Sequence, residues 1–284
     1  MKQIAFIGLG NMGYPMAGHL ANNNYKVTVF NRTNPKSIKW SEEYHGNSST
    51  NLDELLSIAD ILILCVGNDN DVKEIVRKSR HLLKPGSIII DHTTTSADLA
   101  KESYHLLKQK NISFIDAPVS GGQLGAQKGS LTTMLGGDED ICYQVEPILN
   151  CYSKKVTYMG ISGNGQLTKM VNQISLVGVV QGLAEGINFA IKSGLDPKKT
   201  IEVISQGAAG SWQMDNRAIT MIDNKFDFGF AVSLIKKDLG IVLQEANKNG
   251  AELPITAIID QFYLKLLNND MAKADASALI TLLK

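Results

Sequence analysis

The stretch that decides the fold lies at the start of the chain, where Ile4-Ala-Phe-Ile-Gly8-Leu-Gly10-Asn-Met-Gly13 runs from an apolar segment into glycines. Consecutive apolar residues bounded by a turn signal read as a strand buried on both faces. The glycines follow G-x-G-x-x-G, and Tyr14–Asn22 then takes up helical periodicity. Strand, turn and helix in that order make a phosphate cradle. Gly8 permits the tight turn, Gly10 lets the backbone approach a pyrophosphate, and Gly13 lets helix and strand pack closely. Free N–H groups and the dipole at the helix start favour an anion. Gly8, Leu9, Gly10, Asn11, Met12 and Gly13 are therefore the expected dinucleotide contacts. A glycine-rich turn without a ligand is the bland alternative, and the strand–turn–helix context argues against it.

The end of the second strand addresses the choice of dinucleotide. NAD-binding folds place Asp or Glu there to hold the ribose 2′-hydroxyl. This chain reads Phe30-Asn31-Arg32-Thr33. No carboxylate stands there to repel a 2′-phosphate, and a guanidinium and a hydroxyl are available to bind it. Asn31, Arg32 and Thr33 thus favour NADP(H) over NAD(H). The alternative is that Arg32 only caps a loop and NAD is accepted less selectively.

Further along, β-branched runs alternate with amphipathic stretches. Strands are expected at Gln3–Gly8, Lys26–Asn31, Ile61–Val66, Ser87–Asp91, Ser113–Asp116, Thr132–Leu135 and Val156–Tyr158, with helices at Leu52–Ile58, Asp71–Ser79 and Ser96–Lys108. Alternation of this kind implies βαβ units and one mainly parallel sheet covered on both faces. After about Gly160 only helical periodicities remain, over Gly165–Ser193, Pro197–Gln206, Ala231–Asn249 and Thr256–Asn268. Gly194 and Gly250 stand where helix C-caps belong, and Pro197 suits a first turn. The expected architecture is an α/β Rossmann-type domain over residues 1–162, then an all-α domain over 163–284 that begins with a long connecting helix.

Composition removes several function classes. Lys plus Arg equals Asp plus Glu at 28 each, which speaks against broad contact with nucleic acid or anionic lipid. Cys65, Cys142 and Cys151 form no C-x-x-C pair and have no histidine cluster beside them, so no metal site is expected and a reducing cytoplasm is. The apolar stretch Ile174–Ile191 is interrupted by Gln181, Glu185 and Asn188, which reads as a buried helix and not a membrane span.

Two later blocks carry chemistry. In Asp116-Ala-Pro-Val-Ser-Gly-Gly122 a strand leads into a loop with exposed backbone N–H groups and the Ser120 hydroxyl, suited to a carboxylate or carbonyl oxygen. The same residues also suit a plain tight turn. In Gly160-Ile-Ser-Gly163-Asn-Gly165-Gln-Leu-Thr-Lys169-Met-Val-Asn172-Gln173, glycines precede a helix on which Lys169 and Gln173 share a face. Asn172 is also within reach. Desolvation would bring such a lysine toward a working pKa, whereas an ordinary surface lysine would stay charged.

Taken in order, Gly8–Met16, Asp116–Gly122, Gly160–Asn172 and Lys237-Asp238-Leu239 resemble the β-hydroxyacid dehydrogenases, relatives of 3-hydroxyisobutyrate and 6-phosphogluconate dehydrogenases. The resemblance covers nearly the whole chain. It implies Lys169 as acid–base residue with Asn172 or Gln173 beside it, and Ser120, Gly121 and Gly122 as the loop for a substrate carboxylate. It implies Val66, Gly67, Thr94, Phe230 and Lys237 near the cofactor, with Gly67 where relatives often carry Pro. Many relatives have Asn at position 173, where this chain has Gln. The segment Gly207–Trp212 matches a pocket-shaping loop, so Trp212 is a candidate substrate contact, although tryptophans are mostly core residues.

The implied reaction is reversible hydride transfer between NADP(H) and a short β-hydroxy acid or semialdehyde. The cofactor site is similar to those of glyoxylate and succinic semialdehyde reductases. The resemblance further implies a homodimer or homotetramer. Two other readings are an imine reductase, which resembles the N-terminal half but generally lacks the lysine, and a non-catalytic NADP-binding scaffold.

Overall fold

The computed structural model describes residues 2–283. The chain divides into two compact units after Lys169. The first is built on a six-stranded parallel sheet in the order β3-β2-β1-β4-β5-β6. These strands are β1 (Gln3–Ile7), β2 (Lys26–Phe30), β3 (Asn47–Ser48), β4 (Ile61–Leu64), β5 (Ile88–Asp91) and β6 (Ser113–Asp116). Helices α1 (Gly13–Asn22), α2 (Asn34–Tyr44), α3 (Leu52–Ile58), α4 (Asp69–Leu82) and α5 (Ala97–Lys108) lie between them. Because side chains alternate along a strand, Ile4 and Phe6 join a core with Val27, Ile61 and Met16, while Ala5 and Ile7 join another with Leu62, Leu64 and Val72. Both faces are covered, as the near-continuous apolar strands require. Strand order reverses at β1, so the crevice beyond the ends of β1 and β4 is the topological switch point where such sheets bind ligands.

The sheet is smaller than the sequence suggests. Leu131–Leu135 and Ser153–Tyr158 leave it and form β8 and β9 of a second sheet, in which β7 (Val119–Ser120) is the third strand. The expectation of one mainly parallel sheet is corrected here: β7 pairs antiparallel with β8, and β8 pairs parallel with β9. Pro118 ends β6 pairing, and Gly121 and Gly122 take positive φ of 127° and 62°, so the chain folds back after two residues of β7. Helices α6 (Gly122–Gln127) and α7 (Glu139–Leu149) complete the unit. Periodicity misses α2 because it buries only Ser37 and Trp40 among polar neighbours.

The second unit is helical. It contains most of α8 (Asn164–Lys192), then α9 (Pro197–Ile204), α10 (Trp212–Ile222), α11 (Val232–Asn249), α12 (Pro254–Asn268) and a 3-10 helix over Ala276–Leu283. Gly194 and Gly250 adopt φ of 73° and 78°, the left-handed conformation that ends helices, and Pro197 opens α9 behind an Asp196 cap. Among the described residues α8 is the one helix long and apolar enough to cross a membrane, and 39% of its apolar window is buried. Val177 and Val180 pack with Ile235, Leu239 and Tyr263, and Leu183, Ala184 and Ile187 pack with Ile201, Met214 and Ala218.

Candidate active site

The glycine turn divides into residues required by the chain and one open to a ligand. A Cβ on Gly8, whose φ is 100°, would lie 2.2 Å from the Cys65 carbonyl oxygen, and one on Gly13 would lie 1.9 Å from the Gly8 carbonyl oxygen. Those two glycines are demanded by folding. At Gly10 an added Cβ meets nothing within 4 Å. Helix α1 has no side-chain cap at Met12, so its N-terminal N–H groups suit an external anion. The cradle therefore fits a dinucleotide pyrophosphate. Leu9 contributes only backbone, since its side chain is buried in the core and its N–H donates to Asn31 Oδ1 at 3.0 Å. Asn31 Nδ2 donates in turn to the Thr33 carbonyl at 3.2 Å, so Asn31 pins both loops.

The structure corrects one premise about the ribose site. A carboxylate is present after all, supplied by the first turn of α4: Asp71 Oδ1 lies 3.1 Å from Arg32 Nη1. Its other oxygen accepts the Gly67 N–H at 3.1 Å. The preceding residue, Val66, donates its N–H to Thr93 Oγ1 at 3.1 Å, which joins the β4 and β5 loops.

The Thr93–Thr95 segment is fastened to the start of α8 by Gln166. Gln166 Nε2 donates to the Thr93 carbonyl at 2.8 Å and Gln166 Oε1 accepts the Thr95 N–H at 3.1 Å, straddling Thr94. Asp116, at the end of β6, holds the helix start itself. Its Oδ1 accepts the Gly163 N–H at 2.8 Å and its Oδ2 accepts the Gln166 N–H at 3.0 Å, with Ser162 Oγ donating at 3.3 Å. A buried carboxylate thus caps the helix that carries Lys169, three residues beyond Gln166, and Lys169 itself is only 8% exposed. The surface-lysine reading does not hold.

Burial governs titration beneath this site. Desolvation pushes Asp91 up to about 7 against the lowering hydrogen bonds from Thr93, and the neighbouring Asp116 carboxyl adds to the rise. Asp116 rises to about 6, again by desolvation. Burial lowers His92 to about 4, so its ring is neutral at physiological pH. His92 Nδ1 lies 2.6 Å from the Ala117 carbonyl, which makes that nitrogen the donor, and Nε2 accepts from Tyr152 Oη at 2.9 Å. The ring ties the Asp91–Thr95 turn to the loop that leads to Ser120.

In the helical unit a relay runs along α8 and α11. Asn172 Nδ2 donates to Gln173 Oε1 at 2.8 Å, Gln173 Nε2 donates to Asp238 Oδ2 at 2.6 Å, and Asp238 Oδ1 lies 3.1 Å from Lys237 Nζ. Gln173 is 1% exposed and sits one turn along α8 from Lys169. Phe230 N–H donates to Asp275 Oδ2 at 2.8 Å, and Asp275 also pairs with Arg217 at 3.3 Å. The core expectation for Trp212 is wrong. As the first residue of α10 it is 47% exposed, with the Arg217 guanidinium 5.1 Å from its ring centroid.

Gln166, Asp71, Asp238 and His92 escape sequence reasoning as site residues. Local signals existed for Gln166, inside the glycine–lysine block, and for Asp238, inside Lys237-Asp238-Leu239. Among the described residues no group of His, Cys, Asp or Glu could hold a metal ion.

Comparison with known proteins agrees with this fold. Residues 3–160 match the NAD-binding domain of 6-phosphogluconate dehydrogenase, and residues 163–283 match the NAD-binding model of NADP-dependent 3-hydroxyisobutyrate dehydrogenase. An uncharacterized oxidoreductase of Shewanella frigidimarina is 49% identical, over 100% of this chain and 99% of its own length. A probable 3-hydroxyisobutyrate dehydrogenase-like protein of Arabidopsis thaliana is 39% identical, over 99% of this chain and 85% of its own. Among solved structures, 3-hydroxyisobutyrate dehydrogenase of Mycobacterium tuberculosis with L-serine superposes with a TM-score of 0.90 at 29% identity, covering 100% of this chain and 99% of that one.

Proposed function

Since the chain belongs to the 3-hydroxyisobutyrate dehydrogenase family of NAD(P)-dependent oxidoreductases, we propose that it interconverts a short β-hydroxy acid and its semialdehyde, with NADP(H) preferred and Lys169 as the general acid–base. The observation that carries this reading is a lysine buried to 8% exposure, on a helix whose start is capped by Asp116 and tied by Gln166 to the turn holding Thr94. A surface lysine needs no such scaffold, and a proton-transfer group does, because its reach must be fixed to within a hydrogen bond.

When bound, the nicotinamide gives or takes the hydride. Lys169 delivers a proton to the aldehyde oxygen in reduction and removes the hydroxyl proton in oxidation. The Ser120 hydroxyl, with the Gly121 and Gly122 amides, holds the carboxylate; an added Cβ at Gly122 would meet nothing within 4 Å, so that turn has room for a ligand. Gln173, oriented by Asp238, and Asn172 set the polarity of the α8 face that Lys169 shares. The half-exposed Trp212 is assigned to the substrate, and Phe230 and Lys237 to the cofactor. A homodimer or homotetramer is the assembly that family likeness favours, and sedimentation would count its subunits. Free Cys65, Cys142 and Cys151 suit the cytoplasm.

The test follows nicotinamide absorbance with glyoxylate, succinic semialdehyde, tartronate semialdehyde and methylmalonate semialdehyde, each with NADPH and NADH. Lys169→Ala should lower kcat by about 10²–10⁴-fold while NADPH still binds. Undiminished turnover in that variant refutes the lysine assignment. An imine reductase or an inert scaffold would instead leave all four aldehydes untouched.

A further inference from the structure

The Arg32–Asp71 pair joins two elements 39 residues apart in sequence, the end of β2 and the first turn of α4. Asp71 is the fixed member. Its side chain is 18% exposed, whereas that of Arg32 is 83% exposed. The Asp71 backbone N–H is held by the Asn68 cap, and its carboxylate is gripped from the other side by the Gly67 N–H. Glycine at 67 is what permits that grip, because an added Cβ would lie 2.7 Å from Asp71 Oδ2.

We propose that Asp71 is a cofactor-specificity residue, whose carboxylate occupies part of the Arg32 guanidinium and so weakens the discrimination between a 2′-phosphate and a 2′-hydroxyl that Arg32 alone would give. The inference rests on the reading that Arg32 meets the 2′-phosphate. A guanidinium has five N–H donors in a planar fork, so one edge can keep Asp71 while the rest turns to a phosphate. Two anions on one cation still repel one another, and a 2′-hydroxyl suffers no such repulsion. The carboxylate that NAD-binding folds carry at the end of β2 is thus replaced here by one from α4. The chain is built to accept both dinucleotides with a bias toward the phosphorylated one.

Isothermal titration of the full chain with NADP⁺ and with NAD⁺, at one fixed ionic strength, tests this without any turnover. Arg32→Ala should weaken NADP⁺ by about tenfold or more and leave NAD⁺ within about twofold. Asp71→Asn keeps the shape and an acceptor for the Gly67 N–H, and should tighten NADP⁺ by about three- to tenfold with NAD⁺ again nearly constant. A merely structural role for Asp71 would move both affinities together, and that outcome overturns the inference. So does an NADP⁺ affinity that falls selectively in Asp71→Asn, which would make the carboxylate an organiser of Arg32. If Arg32→Ala leaves the NADP⁺ to NAD⁺ ratio unchanged, the reading of Arg32 fails and the inference with it. If only the Asp71 variant misbehaves, the reading of Arg32 survives.

Discussion

Replacing Gly10 by alanine separates what the glycine turn does for the fold from what it does for a ligand. Gly10 is not among the positive-φ glycines, and an added Cβ meets nothing within 4 Å. Gly10→Ala should therefore change unfolding stability by no more than about 0.5 kcal/mol, the usual range for a substitution without neighbours. Gly13→Ala is the contrast, since its Cβ would stand 1.9 Å from the Gly8 carbonyl oxygen, a backbone atom that cannot rotate away. Backbone displacement of that kind costs about 1–3 kcal/mol. Ligand linkage supplies the readout. At a dinucleotide concentration about 100 times Kd, binding stabilises the folded state by about 2.7 kcal/mol. For a protein of this size that raises Tm by roughly 5–10 °C. Thermal melts with and without NADPH should show the shift in the unsubstituted protein and lose it in Gly10→Ala, with the ligand-free Tm unaltered. A Gly10→Ala variant that keeps the full shift would mean that the pyrophosphate does not approach the backbone there, and the cradle argument would fall.

Other consequences are open to measurement. Gln166→Leu leaves the Thr93 carbonyl and the Thr95 N–H buried without their partner. It should destabilise the protein by about 2–5 kcal/mol, which a urea titration would detect, and should lower kcat more than it raises KM because the Thr94 turn loses its anchor. Stability should also fall as pH rises. Burial raises Asp91 to about 7 and Asp116 to about 6, both above the ordinary 3.8 that they regain on unfolding. Each aspartate therefore lowers stability as pH rises from 3.8 to its folded value, by at most about 1.4 kcal/mol per pH unit, while His92, lowered from 6.5 to about 4, offsets one of them between those two values. Urea midpoints from pH 4 to 6 should show the net decline, and Asp91→Asn should flatten it. A midpoint that climbs throughout that range would contradict the assignment.

The parts legible in the sequence are those with a local cause. Ile4–Gly13 carries strand, turn and helix start within ten residues, and Gly8 and Gly13 answer to backbone atoms close by, in the β4 loop and in the turn itself, while Gly10 faces open space. Gly194, Gly250 and Pro197 mark helix ends for reasons confined to one turn of backbone. The second sheet was hidden because β7 is two residues long and takes its identity from the β8 partner, not from its own pattern. For Trp212 residue type alone favours the core, whereas its exposure depends on its place at the start of α10 beside Arg217.

Site residues divide along the same line, and the division says how the site works. Lys169 stands out in a block of glycines, but what fixes it comes from far away: Asp116 lies 47 residues from Gly163, and Gln166 lies 73 residues from Thr93. Asp116 ends β6 through its backbone and starts α8 through its carboxylate, so one side chain couples the edge of the sheet to the helix carrying Lys169. Two donors converge on Oδ1, the Gly163 N–H and the Ser162 hydroxyl, and the Gln166 N–H occupies Oδ2, so an amide in place of the carboxylate would turn an NH₂ toward a donor whichever way it flipped. The register of Lys169 is therefore set by a side chain from another element, Asp116 at the end of β6. Positioning of that kind leaves no local trace in sequence, because every residue in it is chosen for a partner from another element.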